Sequence, residues 1–199
     1  MKNLIQGALR QLDVIPAGAT VVPICYSLGG VFMELVAERR PDLFTHPIGI
    51  GTNGVGAPLR TIFRTIKSVW KRFLVGLLTG QLVLDRAAAN SLFWYGRETP
   101  GNLDELLRHA HPQPMRGILG LARTMIWEAV KNIFRREKRL PWSTFASATV
   151  LVPERCAIST GTRFAPGVTV ITCPGGHAVI FSYREIRQLM ETAVAWIDF

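Results

Sequence analysis

Cysteine is scarce. Cys25, Cys156 and Cys173 make an odd count of three with no metal-ligand spacing, so neither a disulfide framework nor a structural zinc site is indicated, and reduced thiols are the simple expectation. Long apolar runs are missing too: no uninterrupted stretch reaches the roughly 18 residues that a spanning helix needs. No N-terminal segment joins a basic start, an apolar run and a small-residue cleavage site, so export is not signalled and a soluble, cytoplasmic location is expected. Histidine is sparse at four residues, and His109 and His111 do not form a metal pair, because a separation of two puts them on different helical faces and Pro112 ends the helix. Nothing suggests disorder. With 48% hydrophobic residues in 199, the chain can bury a substantial core as one globular α/β domain.

What is present in excess is positive charge, +9 net and unevenly spread. Arg60, Arg64, Lys67, Lys71 and Arg72 fall in one segment, and Lys131, Arg135, Arg136, Lys138 and Arg139 in another. In the first, Ile62, Phe63, Ile66, Val69, Trp70, Phe73 and Leu74 interleave with the charges at helical spacing, giving an amphipathic basic helix. Two readings stay open for it: a helix packed through its apolar face with a solvated basic face, or one that contacts an anionic membrane surface or the mouth of a lipid site. No nucleic-acid fold motif accompanies the charge, so no nucleic-acid partner is expected.

The most informative stretch is Ile24-Cys25-Tyr26-Ser27-Leu28-Gly29-Gly30-Val31-Phe32. Val21 to Ile24 have strand character, Gly29 and Gly30 allow a helix to pass close to that strand, and Phe32, Leu35 and Val36 continue at helical spacing. A strand, a tight turn bearing Ser27 and a helix are predicted. Here the chain resembles the α/β-hydrolase fold family of serine esterases and lipases, whose Gly-x-Ser-x-Gly motif reads as Cys25-Tyr26-Ser27-Leu28-Gly29, with Cys25 in place of the first glycine. Glu38 to Phe44 resembles the turn after the nucleophile helix, and Pro47 to Thr52 the next parallel strand.

Near the C-terminus, Val168 to Thr172 reads as a strand that Pro174-Gly175-Gly176-His177 ends, before a helix from about Tyr183 to Trp196. The resemblance implies that His177 is the catalytic base, with Gly175 and Gly176 free to aim its ring. The family's acid follows the preceding strand, here Ala148 to Cys156. Glu154 is the nearby carboxylate, and it reads either as the acid or as a solvated turn residue paired with Arg155; the register equally allows Cys156 at that position, with no acid present.

The family also carries upstream strands, one of whose loops supplies part of the oxyanion hole. Ahead of the nucleophile strand this sequence offers only an amphipathic helix over roughly Lys2 to Leu12, with Leu4, Ile5, Ala8, Leu9 and Leu12 on one face. The backbone N–H of Leu28 is then one oxyanion donor and a second has no candidate. Val21 to Tyr26 is expected at a sheet edge, to which Pro23, lacking an N–H, is suited. An uncovered edge invites pairing, so a homodimer or a complementing N-terminal chain is a candidate partner.

Between the second and third strands, helices are expected at roughly 61–78, 82–95, 102–110 and 115–138, with poor strand signals. The resemblance implies a helical cap over about 60–139, inserted into a core of 1–59 and 140–199, and Trp70, Phe73, Phe93, Trp94, Tyr95, Met125 and Trp127 suit either plain core or an apolar acyl group. The expected architecture is a partial α/β-hydrolase fold with about four mostly parallel strands flanked by helices. Its implied activity is hydrolysis of an ester, thioester or related acyl bond through Ser27, His177, Glu154 and the N–H of Leu28, acting on a small acyl substrate without metal or organic cofactor. The alternative is a non-catalytic binding protein or fragment that kept the half-core.

Overall fold

A computed structural model describes residues 2–16, 18–68, 70–83, 112–156, 158–177, 187 and 191. The amphipathic helix α1 (Lys2–Leu12) comes first, followed by strand β1 (Ile24–Tyr26), helix α2 (Gly29–Ala37) and strand β2 (Ile48–Ile50). Helices α3 (Leu59–Ser68) and α4 (Trp70–Thr79), a short strand β3 (Gln81–Leu82), its partner β4 (Gln113–Pro114) and the long helix α5 (Met115–Phe134) precede β5 (Ala148–Pro153) and β6 (Val168–Cys173). The main sheet has the order β1-β2-β5-β6 and every pairing in it is parallel. This is the expected four-stranded parallel sheet flanked by helices.

β2 and β5 are central and buried on both faces, as Ile48, Ile50, Val150 and Leu151 require. β1 pairs with β2 alone among the described strands, and Ile24 on it is 57% exposed. The strand starts later than the apolar pattern suggests, because Pro23 has no N–H for the ladder; its carbonyl accepts from Ile48 N–H at 2.8 Å, and Val21 joins Phe44 only as an isolated bridge.

One core cluster joins Ile5 of α1, Val31, Leu35 and Val36 of α2, Ile62 of α3, and Met125 and Ala129 of α5. Helices α3 and α5, which lie between β2 and β5 in sequence, thus share a core with the helix that follows the serine. A second cluster sets Cys25, Met33 and Ala37 against Trp142, Phe145 and Val150. Gly49 is needed there: a Cβ on it would lie 2.5 Å from the Trp142 ring.

Glu34 of α2 is wholly buried between these clusters and accepts hydrogen bonds from the backbone N–H of Val55 and of Trp142, with the Arg139 guanidinium 3.9 Å away. Burial, the largest influence, raises its carboxyl to about 8.

The helix expected over 61–78 is met by α3 and α4, on either side of Val69, which lies outside the described residues. One feature of the middle region differs from expectation: an antiparallel β3–β4 pair occurs where strand signals are poor, with Leu82, assigned by pattern to a helix, in β3. The pair is held by its neighbours in space: Met115 N–H donates to Gly80 O at 2.9 Å, and Gly80 takes a φ of 76°. The expected helices at 102–110 and, beyond Leu82 and Val83, at 82–95 lie outside the described residues, as do Phe93, Trp94, Tyr95, His109 and His111. Of the expected C-terminal helix, the described Arg187 and Glu191 are helical and form an ion pair at 2.9 Å.

Candidate active site

Ser27 stands at the end of β1 with φ 55°, a left-handed conformation unusual for a residue with a side chain. Its N–H donates to Ile50 O at 3.0 Å, tying the turn to the end of β2, and its own carbonyl accepts from Gly30 N–H at 3.2 Å as α2 begins. The elbow therefore forms with cysteine in place of the first glycine. A Cβ on Gly29 would meet the Cys25 Cβ at 3.6 Å, ordinary contact, so the thiol side chain fits where the helix crosses the strand. Cys25 donates to Ile48 O at 3.5 Å, and burial pushes its thiol up to about 12, so it stays protonated.

Gly30 explains the tight crossing of α2 over the next loop. A Cβ there would lie 1.9 Å from Thr52 Oγ1. Leu28 is the N-cap of α2, which puts its backbone amide at the positive end of that helix, next to the serine.

The histidine arrives from the other edge of the sheet. After β6, Gly175 takes a φ of 106° and its carbonyl accepts from Arg155 N–H at 3.0 Å, which holds the loop against the turn after β5. His177 is thereby carried into the interior with no exposed surface, and its Nε2 lies 2.9 Å from Ser27 Oγ. Burial drives its pKa down to about 3, so the imidazole is neutral at ordinary pH. Residues 27 and 177, far apart in the chain, are thus brought to hydrogen-bond distance, an imidazole nitrogen against a serine hydroxyl.

The turn Pro153 to Cys156 decides what faces the other ring nitrogen. Cys156 N–H donates to Pro153 O at 3.0 Å, and this tight turn swings the Cys156 side chain back into the interior, where Sγ lies 3.0 Å from His177 Nδ1. Glu154, at the outside of the turn, is exposed, and its backbone N–H is spent on Cys173 O at 2.9 Å. Of the two readings for the acid's position, the structure thus puts the thiol of Cys156 on the histidine and leaves Glu154 in the solvated turn. Burial raises the Cys156 thiol above its ordinary range, outweighing hydrogen bonds with Ser159 and Ile158.

Two neighbours of the ring carry no recognisable motif. Tyr26 donates its hydroxyl to His177 O at 2.9 Å, and its ring stacks on the imidazole with centroids 4.9 Å apart. Gly51, with φ 55°, lies so close that a Cβ would stand 3.0 Å from Nδ1. Tyr26 occupies the variable position before the serine, and its adjacency to Ser27 is the one sequence signal that points to it. Among the described residues, no three His, Cys, Asp or Glu side chains group to hold a metal ion, and no helix is long and apolar enough to cross a membrane.

No family model matches the sequence, and no curated protein matches it. Solved structures do. An alpha/beta hydrolase fold protein from Chitinophaga pinensis superposes with a TM-score of 0.63 at 16% identity, over 100% of this chain and 72% of its own. The chain has the α/β-hydrolase fold. A carboxylesterase from the ammonia-oxidizing thaumarchaeon Nitrososphaera gargenis gives a TM-score of 0.61 at 14% identity, over 98% of this chain and 71% of its own. A variant of polyneuridine aldehyde esterase gives 0.62 at 10% identity, over 98% and 78%. The sequence therefore spans about three quarters of the length of these α/β-hydrolases.

Proposed function

We propose that this chain is a serine hydrolase that cleaves an ester, thioester or related acyl bond through an acyl-enzyme. One observation carries the reading: Nε2 of a buried, neutral histidine sits 2.9 Å from the hydroxyl of a serine held at positive φ on a strand-to-helix turn. In the first step the Ser27 proton passes to Nε2 as Oγ bonds to the carbonyl carbon, and the oxygen that gains the electron pair is met by the N–H of Leu28. Nε2–H then protonates the leaving group as its bond to carbon breaks. Water attacks the acyl-serine by the same exchange in reverse.

The imidazolium formed in these steps faces a thiol at Nδ1 and gains no carboxylate stabilisation from it. Acyl groups with good leaving groups, such as thioesters and aryl esters, suit such a weak base best. The exposed apolar side chains of Trp70, Leu74 and Leu78 on α4 and Trp127 on α5 support an apolar, lipid-like acyl moiety.

The test is hydrolysis of p-nitrophenyl esters of increasing chain length by the parent and by Ser27→Ala. Turnover that Ser27→Ala abolishes supports the reading, and a rate equal in the two proteins refutes it. The Cys156–His177 contact favours a second reading: a non-catalytic protein that binds an acyl ligand at the same serine. Ligand binding by a folded parent that shows no Ser27-dependent turnover would favour it.

A further inference from the structure

Three groups form a chain across the site: Cys156 Sγ, 3.0 Å from His177 Nδ1, and His177 Nε2, 2.9 Å from Ser27 Oγ. A neutral imidazole has one proton to place, and its position determines whether the serine faces a lone pair or an N–H. A carboxylate on Nδ1 settles the matter, since it has no proton and must accept, which leaves Nε2 free to take the serine's proton. A thiol differs because it has a proton of its own. Among the described residues, Ser159 and Ile158 act as donors to the sulfur, and the acceptors that Sγ meets are Nδ1 at 3.0 Å and Gly51 O at 4.0 Å, of which Nδ1 is the nearer. An imidazole nitrogen is a good acceptor and a thiol sulfur a weak one, so S–H to Nδ1 is the better bond of the pair's two options.

We propose that Cys156 sets the tautomer of His177, holding the ring proton on Nε2 at rest so that Ser27 receives a hydrogen bond from the histidine and keeps its own proton. The inference rests on the reading of Ser27 and His177 as nucleophile and base, and makes Cys156 a positioning residue that acts through the histidine. The productive arrangement then requires the thiol proton to turn to the Gly51 carbonyl and the ring proton to sit on Nδ1, so the competent base is a minority species. Burial supports this by keeping the thiol protonated. The serine is held in reserve, and a ligand that stabilises the second tautomer would release it.

Nitrogen-15 NMR of the histidine-labelled, full-length protein tests the inference, with His177→Gln identifying the His177 signals. The expected parent spectrum has Nδ1 unprotonated and Nε2 protonated; Cys156→Ser, which keeps a neutral donor, gives the same pattern, and Cys156→Asp reverses it. A parent ring proton on Nδ1 overturns the proposal without recourse to any variant. Fluorophosphonate labelling of the same proteins keeps the two readings apart. Cys156→Asp is expected to label at least about tenfold faster than the parent, a part of the roughly 10²–10⁴-fold that an engaged general base contributes. A reversed tautomer with no labelling of either protein would leave the tautomer assignment standing and overturn the hydrolase reading. Labelling no faster in a Cys156→Asp protein whose tautomer has reversed would overturn the claim that the resting tautomer restrains the serine.

Discussion

Tyr26 both stacks on the imidazole of His177, with ring centroids 4.9 Å apart, and donates its hydroxyl to that residue's backbone carbonyl at 2.9 Å. The residue before Ser27 thus ties down the loop that brings His177. Tyr26→Phe keeps the stack and removes the hydrogen bond, and is expected to cost about 1 kcal/mol of stability. Tyr26→Ala removes both and should slow serine labelling further than Tyr26→Phe. Urea denaturation and labelling rates of the two variants check this; equal labelling by parent and Tyr26→Ala would rule out the orienting role.

Glu154 is exposed in the turn after β5, whereas Cys156 is buried against the ring. Glu154→Ala is therefore expected to leave the rate of serine labelling within about twofold of the parent, as surface substitutions away from a site usually leave stability unmoved as well. A loss on the scale of the Ser27→Ala variant would restore Glu154 as the acid.

Two buried groups give stability opposite dependences on pH. His177 has a pKa lowered from 6.5 to about 3 by burial, so the folded state binds fewer protons than the unfolded. Its contribution is fully present above 6.5 and is lost as pH falls toward 3. Glu34 is raised from 4.5 to about 8, first by burial and against the Val55 and Trp142 amides and Arg139, so the folded state holds a proton that the unfolded has released. Its contribution is present below 4.5 and is lost as pH rises through 8. Denaturation midpoints between about pH 4 and 9 should fall off on both sides of a maximum, with His177→Gln flattening the acid limb and Glu34→Gln the alkaline one. Unchanged limbs in these variants would contradict the assignment.

Gly30 meets Thr52 where α2 crosses the loop after β2, and a Cβ added to this glycine would stand 1.9 Å from Oγ1. Thr52 is fully buried and has little room to yield. Gly30→Ala is expected to destabilise the fold by about 1–3 kcal/mol, the usual cost of overpacking. Thermal unfolding measures it, and a Tm equal to the parent's would show that the loop gives way.

Ser27 and His177 were legible as a pair because each is marked by local backbone chemistry: glycines after a β-branched strand at one, a glycine pair after a strand at the other. The parallel strands were legible for a similar reason, since the buried runs Ile48–Ile50 and Ala148–Pro153 carry their signal in composition. The β3–β4 pair was not, because Leu82 and Pro114 have no strand pattern and are held by contacts made in space. Which side chain faces His177 Nδ1 stays open in the sequence between Glu154 and Cys156, because one turn holds both. Its hydrogen bond, Cys156 N–H to Pro153 O, is a tertiary outcome that residue identities do not determine. Beyond its adjacency to Ser27, Tyr26 carries no signal as a partner of His177, since its hydrogen-bond acceptor is 151 residues away in sequence.

The central claim is that Ser27 is a nucleophile served by His177. Intact-mass analysis of the purified chain after treatment with a fluorophosphonate tests it without presuming a substrate. The account predicts a single adduct that maps to Ser27 and is absent from folded Ser27→Ala and His177→Ala. A folded parent that gains no adduct, or one whose adduct persists in Ser27→Ala, would contradict it.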